Sequence, residues 1–277
     1  MTLSSTTTSL IRMALTEDIG HGDVTSQAIF AARAKGKAVI RAKQSLVLAG
    51  LDIAQAVFQE LDPSLTWTKV SADGDRKQTG ETLATIEGPV IALLQGERTC
   101  LNFLQHLSGI ATLTARFVDA VQGTKAKILD TRKTLPGYRE LEKVAVRMGG
   151  GSNHRIGLYD RYLIKNNHIA AAGGILPAIE CIKAHQLPDL LLEVEARTPE
   201  EVSLAASAGV DIILLDNMTT DQIRTAVQIV AGRCKLEASG NMSLENVRNY
   251  AETGVNFISV GAITHSAPAA DIHMTID

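Results

Sequence analysis

In the second half of this chain, short aliphatic runs end in a polar or small tip about every 22 residues. The runs are DLLLEVEA, VDIILLDN, CKLEASGN and NFISVGAI, with tips at Glu195, Asp216, Ser239 and Gly261. Helical stretches lie between them, at Pro199 to Ala208, Thr220 to Val230 and Leu244 to Thr253. The interval is about the length of one strand plus one helix. Such a βα repeat closes most naturally into a parallel α/β barrel, whose reactive residues sit at the carboxyl ends of the strands. Two earlier runs, AKILDT and RYLIKNNH, extend the series. The clear repeats are too few for a full eight, so an incomplete barrel is expected. Aromatics make up 4% of the chain and hydrophobic residues 45%, so Leu, Ile, Val and Ala fill the core, as buried parallel strands require.

The first hundred residues have a different pattern. KAVIRAKQSLVLA reads as strand, turn, strand. GLDIAQAVFQELDP has helical spacing at Leu51, Ala54, Val57, Phe58 and Leu61, with Pro63 just past its end. Trp67 to Val70 and Thr82 to Ile86 add short strands. This predicts an α+β unit with a mostly antiparallel sheet. Leu10 to Ala14 reads as one short helix, and TEDIGHGDVTS after it as a polar loop or a capping turn. LLQGERTCLNFLQHLSGIATLTARFVDAV reads as two helices with a break near Gly109. The expected domains are therefore 1–108 and 109–267, with the alternating tail 268–277 returning to the first.

Charge is concentrated in one segment. Ile128 to His168 holds Arg132, Lys133, Arg139, Lys143, Arg147, His154, Arg155, Arg161 and Lys165, although the whole chain carries a formal charge of -3. A mildly acidic protein with such a segment is expected to hold an anion there. Arg139, Lys143 and Arg147 sit at helical spacing and read as a solvated helix face. Arg132, Lys133, His154 and Arg155 fit that reading poorly. They follow a strand signal in ILDTRKT and a glycine run in MGGGSNHR, and glycine lets main-chain N–H groups approach a charged ligand.

Several classes are disfavoured. Near-neutral charge without basic tails argues against nucleic acid. MTLSSTTTSLIRM lacks a long apolar core, and no other stretch reaches the length of a membrane span, so neither leader nor membrane contact is expected. Cys100, Cys181 and Cys234 show no CxxC pairing and read as free buried thiols of a reducing, cytoplasmic compartment. No Walker or dinucleotide motif is present.

The predicted barrel mouth has cations on one arc and acids on the other. Arg132, Lys133, Arg155 and Lys165 suit carboxylates or phosphates. Glu195 and Asp216 offer the oxygen ligands that Mg²⁺ favours. SGN and VGA present small residues and backbone N–H groups, as phosphate sites on late barrel strands do.

The chain resembles the quinolinate phosphoribosyltransferase family of NAD biosynthesis over nearly its whole length. The likeness rests on EDIGHGDVTS, GERTCLNFLQHLSGIAT, the long run from Asp130 to His168, LEVEA, ILLDN, SGN and VGAITHS. Departures are small: LEVEA where LEVEV is usual, and DIHMTI where DISLKI is commoner. The resemblance implies an N-terminal α/β sandwich and a C-terminal, incomplete, seven-stranded TIM-like α/β barrel. It implies that quinolinate and phosphoribosyl pyrophosphate (PRPP) become nicotinate mononucleotide, pyrophosphate and CO₂, with Mg²⁺. By position, Thr131, Arg132, Lys133, His154, Arg155 and Lys165 would line the site, with Lys133, Lys165 and His154 among the catalytic groups. Arg98 would reach in from the partner of a homodimer, which could assemble further into a hexamer. Glu195 and Asp216 would serve the ribose hydroxyls and the Mg²⁺–PRPP complex. Ser239, Gly240 and Asn241, with Val260, Gly261 and Ala262, would hold the phosphate. Rival readings are a ModD-like paralogue with another substrate, a Schiff-base lyase using Lys165, and a non-enzymatic PRPP or nucleotide sensor.

Overall fold

The computed structural model describes residues 3–31 and 34–276. The chain divides into two compact units. The first comprises Met1–Ala115, Leu135–Gly150 and Ala267–Asp277, and the second Arg116–Thr134 and Gly151–Ser266. The sequence expectation had drawn one boundary at 108/109 and had left 135–150 with the barrel.

The first unit contains β1 (Lys35–Ala42), β2 (Leu46–Val47), β3 (Thr66–Lys69), β4 (Arg76–Lys77), β5 (Thr82–Pro89) and the chain's last strand, β12 (Ile272–Ile276). Its main sheet is antiparallel throughout, in the order β12-β1-β5-β3. The tail returns as expected, with Met274 opposite Ile40. The helices are α1 (Ser5–Ile19), α2 (Val24–Ile29), α3 (Leu51–Leu61), α4 (Val90–Ala120), whose last five residues belong to the second unit, and α5 (Arg139–Met148). Helix α3 buries Leu51, Ile53, Ala54, Val57 and Phe58 on one face. Asp23 caps α2, accepting hydrogen bonds from the Thr25 and Ser26 amides at 3.1 and 3.0 Å, so the glycine-flanked stretch there is a capping turn.

Three expectations are corrected. Helix α4 is a single helix of 31 residues with no break at Gly109. A Cβ on Gly109 would lie 2.2 Å from the Pro268 carbonyl oxygen, so this glycine serves close packing rather than helix termination. Lys143 is 2% exposed and is not on a solvated face. Its helix is covered on more than one side, since Leu141, Glu142, Ala145 and Val146 are buried as well. Of the cysteines, all three are free, but only Cys100 is buried; Cys181 is exposed.

The second unit is built on a parallel sheet of β6 (Lys127–Leu129), β7 (Tyr162–Ile164), β8 (Leu192–Ala196), β9 (Ile212–Asp216), β10 (Lys235–Ser239) and β11 (Phe257–Ser259). Their order is β6-β11-β10-β9-β8-β7, parallel at every junction. The helices between are α6 (Asn166–Ala171), α7 (Ile175–Lys183), α8 (Pro199–Ser207), α9 (Thr220–Val230), α10 (Val247–Ala251) and α11 (Ala262–His265). The fold class is that expected, an α/β barrel left incomplete. Seven strands were expected, and six are formed among the described residues. The seventh is reduced to Ser152, which makes an isolated parallel bridge to Leu129 and donates its amide to the Ile128 carbonyl at 2.8 Å. The glycine run just before Ser152 explains the shortening, because glycine is a poor strand former.

Every residue of β8 is buried, acids included. Side chains alternate across a strand. Leu192, Val194 and Ala196 therefore share one face of β8, and Glu193 and Glu195 the other. The same alternation sets Glu237 and Ser239 on one face of β10. Register ties the layers together: Glu195 and Glu237 both lie opposite Leu214.

Candidate active site

Side chains at the carboxyl ends of these strands line a cavity of about 410 Å³. Thr131, Arg132, Lys133, His154, Arg155, Lys165, Glu195, Asp216 and Ser239 contribute to its wall. A second hollow, of about 580 Å³, adds Gly240, Asn241, Gly261 and Ala262 and shares Thr131, Lys133, Asp216 and Ser239 with the first. Thirteen of the fifteen predicted positions thus meet in two adjoining spaces within one unit. Two fall outside. Arg98 is exposed on α4 and lines neither space. Val260 is 1% exposed, and its amide donates to the Leu129 carbonyl at 2.9 Å, so it has no N–H to spare for an anion.

The cation arc is held from below. The Asp130 carboxylate accepts from the His154 amide at 2.8 Å and from the Asn153 side chain at 2.5 Å, fixing the segment after the glycines. Asp160 accepts from the Ile156 and Gly157 amides at 2.7 and 2.9 Å, closing a turn beside Arg155. The Arg155 guanidinium donates to the Arg161 carbonyl at 3.2 Å. Burial, then the nearby Arg132 cation, lowers the pKa of Arg155. Two guanidinium groups close together in a partly dry space suit an anion of matching charge.

The acid arc has a rim and a floor. At the rim, Arg197 reaches Asp216 at 3.1 Å and Glu195 at 3.5 Å, and the Asn166 side chain donates to Glu195. Burial, followed by the Asp216 charge, raises the Glu195 pKa. Two carboxylates side by side offer the hard oxygen donors that a divalent cation favours.

The floor went unnoticed in the sequence. Glu193 and Glu237 are fully buried, and Glu237 lines the cavity. His154 Nε2 lies 3.1 Å from Glu193 and 3.6 Å from Glu237, and Arg161 Nη1 is 3.1 Å from Glu193. Burial works to raise the Glu193 pKa, but His154 and Arg161 outweigh it and the net shift is downward. Burial, then the Glu193 charge, pushes Glu237 well above the usual carboxylate range. The available signal was the period of two in LEVEA and KLEAS, which puts Glu193 beside Glu195 and Glu237 beside Ser239. Asn217 and His265, in the second hollow, were also missed.

The second hollow depends on backbone shape. Gly240 has φ 113°, and a Cβ there would lie 2.2 Å from the Asn217 side-chain oxygen. Asn217 and Asn241 both have left-handed backbones, at φ 55° and 47°. Thr264 Oγ1 donates to the Lys133 carbonyl at 2.7 Å, anchoring the segment that presents that lysine.

Comparison with known proteins identifies the family. Residues 110–275 match the family model for the quinolinate phosphoribosyl transferase C-terminal domain, and residues 23–108 that for the N-terminal domain. A probable carboxylating nicotinate-nucleotide pyrophosphorylase of Bacillus subtilis is 46% identical over 262 residues, covering 94% of this chain and 90% of that protein. The corresponding protein of Mycobacterium leprae is 45% identical over 273 residues, covering 96% and 95%. The crystal structure of NadC from Streptococcus pyogenes superposes with a TM-score of 0.96 at 40% identity, covering 100% of this chain and 99% of that one. The chain belongs to the quinolinate phosphoribosyl transferase family.

Proposed function

We propose that this protein transfers the phosphoribosyl group of PRPP to quinolinate with decarboxylation, giving nicotinate mononucleotide, pyrophosphate and CO₂. The observation that carries the reading is the meeting of Arg132, Lys133, Arg155 and Lys165 with Glu195 and Asp216 around one cavity. Quinolinate is a dianion and PRPP carries several more charges. Their repulsion has to be offset before the ring nitrogen can approach the ribose C1. The cations do this and orient the two reactants. As pyrophosphate departs, positive charge grows on the ribose, where a carboxylate of the acid arc stabilises it. The new bond leaves the ring nitrogen cationic, which draws electrons from the adjacent carboxylate and lets it leave as CO₂.

Arg132 and Arg155 are assigned to the quinolinate carboxylates, and Lys133 and Lys165 to PRPP and the developing charge. Gly240, Asn241, Gly261 and Ala262 line the space assigned to the phosphate. Glu195 and Asp216 would hold Mg²⁺, which would supply positive charge against the pyrophosphate. The assembly is a homodimer in which Arg98 enters the partner's site; its exposure on α4 leaves it available for that contact. The exposed free thiol of Cys181 fits the reducing cytoplasm. No helix among the described residues is long and apolar enough to cross a membrane. A Schiff-base lysine needs desolvation, and Lys165 is exposed.

Purified protein supplied with quinolinate, PRPP and Mg²⁺ should release CO₂ and form nicotinate mononucleotide, and should stop when the metal is chelated. Equal activity with nicotinate and no CO₂ would replace the substrate assignment. Mixing the Arg98→Ala and Lys133→Ala proteins, with subunit exchange verified, should restore part of the activity. No recovery would make the site self-contained.

A further inference from the structure

The catalytic cycle needs a proton for the ring carbon that loses CO₂. His154 and Lys165 are the obvious donors in the sequence, and the structure counts against the first. His154 Nδ1 accepts from the Arg155 amide at 2.7 Å, so the neutral ring carries its proton on Nε2. That N–H faces the Glu193 carboxylate at 3.1 Å, down into the floor. The same tautomer disposes of a second reading. His154, Glu193 and Glu237 place three ligand atoms within 4.8 Å of one another, a spacing that suits a metal ion. A metal would need the Nε2 lone pair, which the tautomer replaces with a proton.

Glu193 and Glu237 are built differently. Glu193 holds both nearby donors, His154 and Arg161. Glu237 is 0% exposed, and neither of its carboxyl oxygens makes a hydrogen bond of ordinary geometry. Its charge is governed by burial and by Glu193, with Ser259 and Arg161 opposing them. Two dry carboxyls side by side resist ionising together, and the one that faces the Arg161 guanidinium and the His154 N–H carries the charge. Glu237 also faces the right space: it shares the register layer of Glu195 and Leu214 and lines the cavity with them.

We infer that Glu237 is the acid that delivers a proton to the carbon vacated by CO₂, with Glu193 and His154 positioning it. The inference rests on the decarboxylating reaction proposed above. When the carbon–carboxylate bond breaks, its electron pair stays on the ring carbon beside the cationic nitrogen. That pair takes the Glu237 proton; a C–H bond forms and an O–H bond breaks. Glu237 is left as a carboxylate and regains its proton from water after the product leaves.

The test compares wild type with Glu237→Gln and Glu237→Asp. Calorimetry reads quinolinate binding, and a rapid-quench assay reads pyrophosphate and CO₂ separately. The H/D ratio at the vacated ring carbon is read for product formed in an equal H₂O/D₂O mixture. Glu237→Gln should bind quinolinate within threefold of wild type and form nicotinate mononucleotide on the order of 10²-fold more slowly. Its residual product should have a changed H/D ratio, because another donor supplies the proton. Glu237→Asp should recover at least part of the rate. An unchanged H/D ratio in the Gln variant would overturn the inference, whether turnover is normal or falls in step with quinolinate binding. If neither variant folds, a wild-type H/D ratio matching an ammonium donor in model reactions, rather than a carboxyl donor, would overturn it as well. Wild type that makes no CO₂ would sink the reaction assignment itself, and this inference with it.

Discussion

The sheets of the two units place charge in opposite ways. In the antiparallel unit, ion pairs sit outside the sheet: Lys37 meets Glu87 at 2.7 Å and Lys43 meets Asp271 at 3.5 Å, with every partner about half exposed. In the parallel unit, His154, Arg155, Glu193 and Glu237 are each less than a tenth exposed and face the barrel interior. Exposed pairs contribute little to stability and can drift without harm. Buried charges carry a desolvation cost that only well-placed partners offset. A fold that retains them gives up stability for a polarised cavity. The antiparallel sheet is thus a packing problem and the parallel barrel an electrostatic one.

The largest expected effect comes from removing a floor partner. Arg161→Met leaves Glu193 with one donor fewer and should cost about 3–5 kcal/mol in denaturant unfolding. A loss below 1 kcal/mol would mean that the floor is far wetter than its burial implies. Next, Arg155→Ala should weaken quinolinate binding by roughly 2–5 kcal/mol in calorimetry, with its unfolding transition little changed. Unaltered affinity would remove Arg155 from the site. The packing side of the contrast is probed by Gly109→Ala, whose new methyl would meet the Pro268 carbonyl; we expect a loss of about 1–3 kcal/mol without loss of substrate affinity.

Titration gives a smaller, signed effect. The folded-state pKa of Glu237 is raised, so the native protein holds a proton that the unfolded chain releases. The stability this confers is complete below the unfolded value of 4.5 and declines as pH rises through the folded value. Glu237→Gln cannot titrate. Its melting temperature should fall less than that of wild type above pH 4.5, by a few degrees at roughly 2–4 °C per kcal/mol. Parallel melting curves would show that Glu237 is ionised throughout. The smallest change is expected for Lys37→Ala, about 0–1 kcal/mol and smaller still in high salt.

Much of the active site was legible because barrel chemistry gathers at strand ends. Glu195, Asp216 and Ser239 stand where aliphatic runs stop, and the glycine run announced His154 and Arg155. Glu193 and Glu237 stayed hidden inside those runs, where a carboxylate reads as an interruption in a buried strand. Lys143 misled for a related reason: helical spacing tells which residues share a face, and says nothing about whether that face is covered. Gly109 was taken for a helix break because the segment that crowds it, at Pro268, is far away in the chain.

The sequence by itself determined the alternation of strand and helix, the mixed character of the two halves and the residue types that line the cavity. Those follow from local periodicity and from chemistry that each residue carries wherever it lies. Only the tertiary structure decided that Val260 spends its amide on Leu129. It also decided that the Glu237 carboxyl is pushed up in pKa while its neighbour Glu193 is held down. These outcomes depend on which groups from distant strands share a dry space, and distances across a barrel are not written in any stretch of chain.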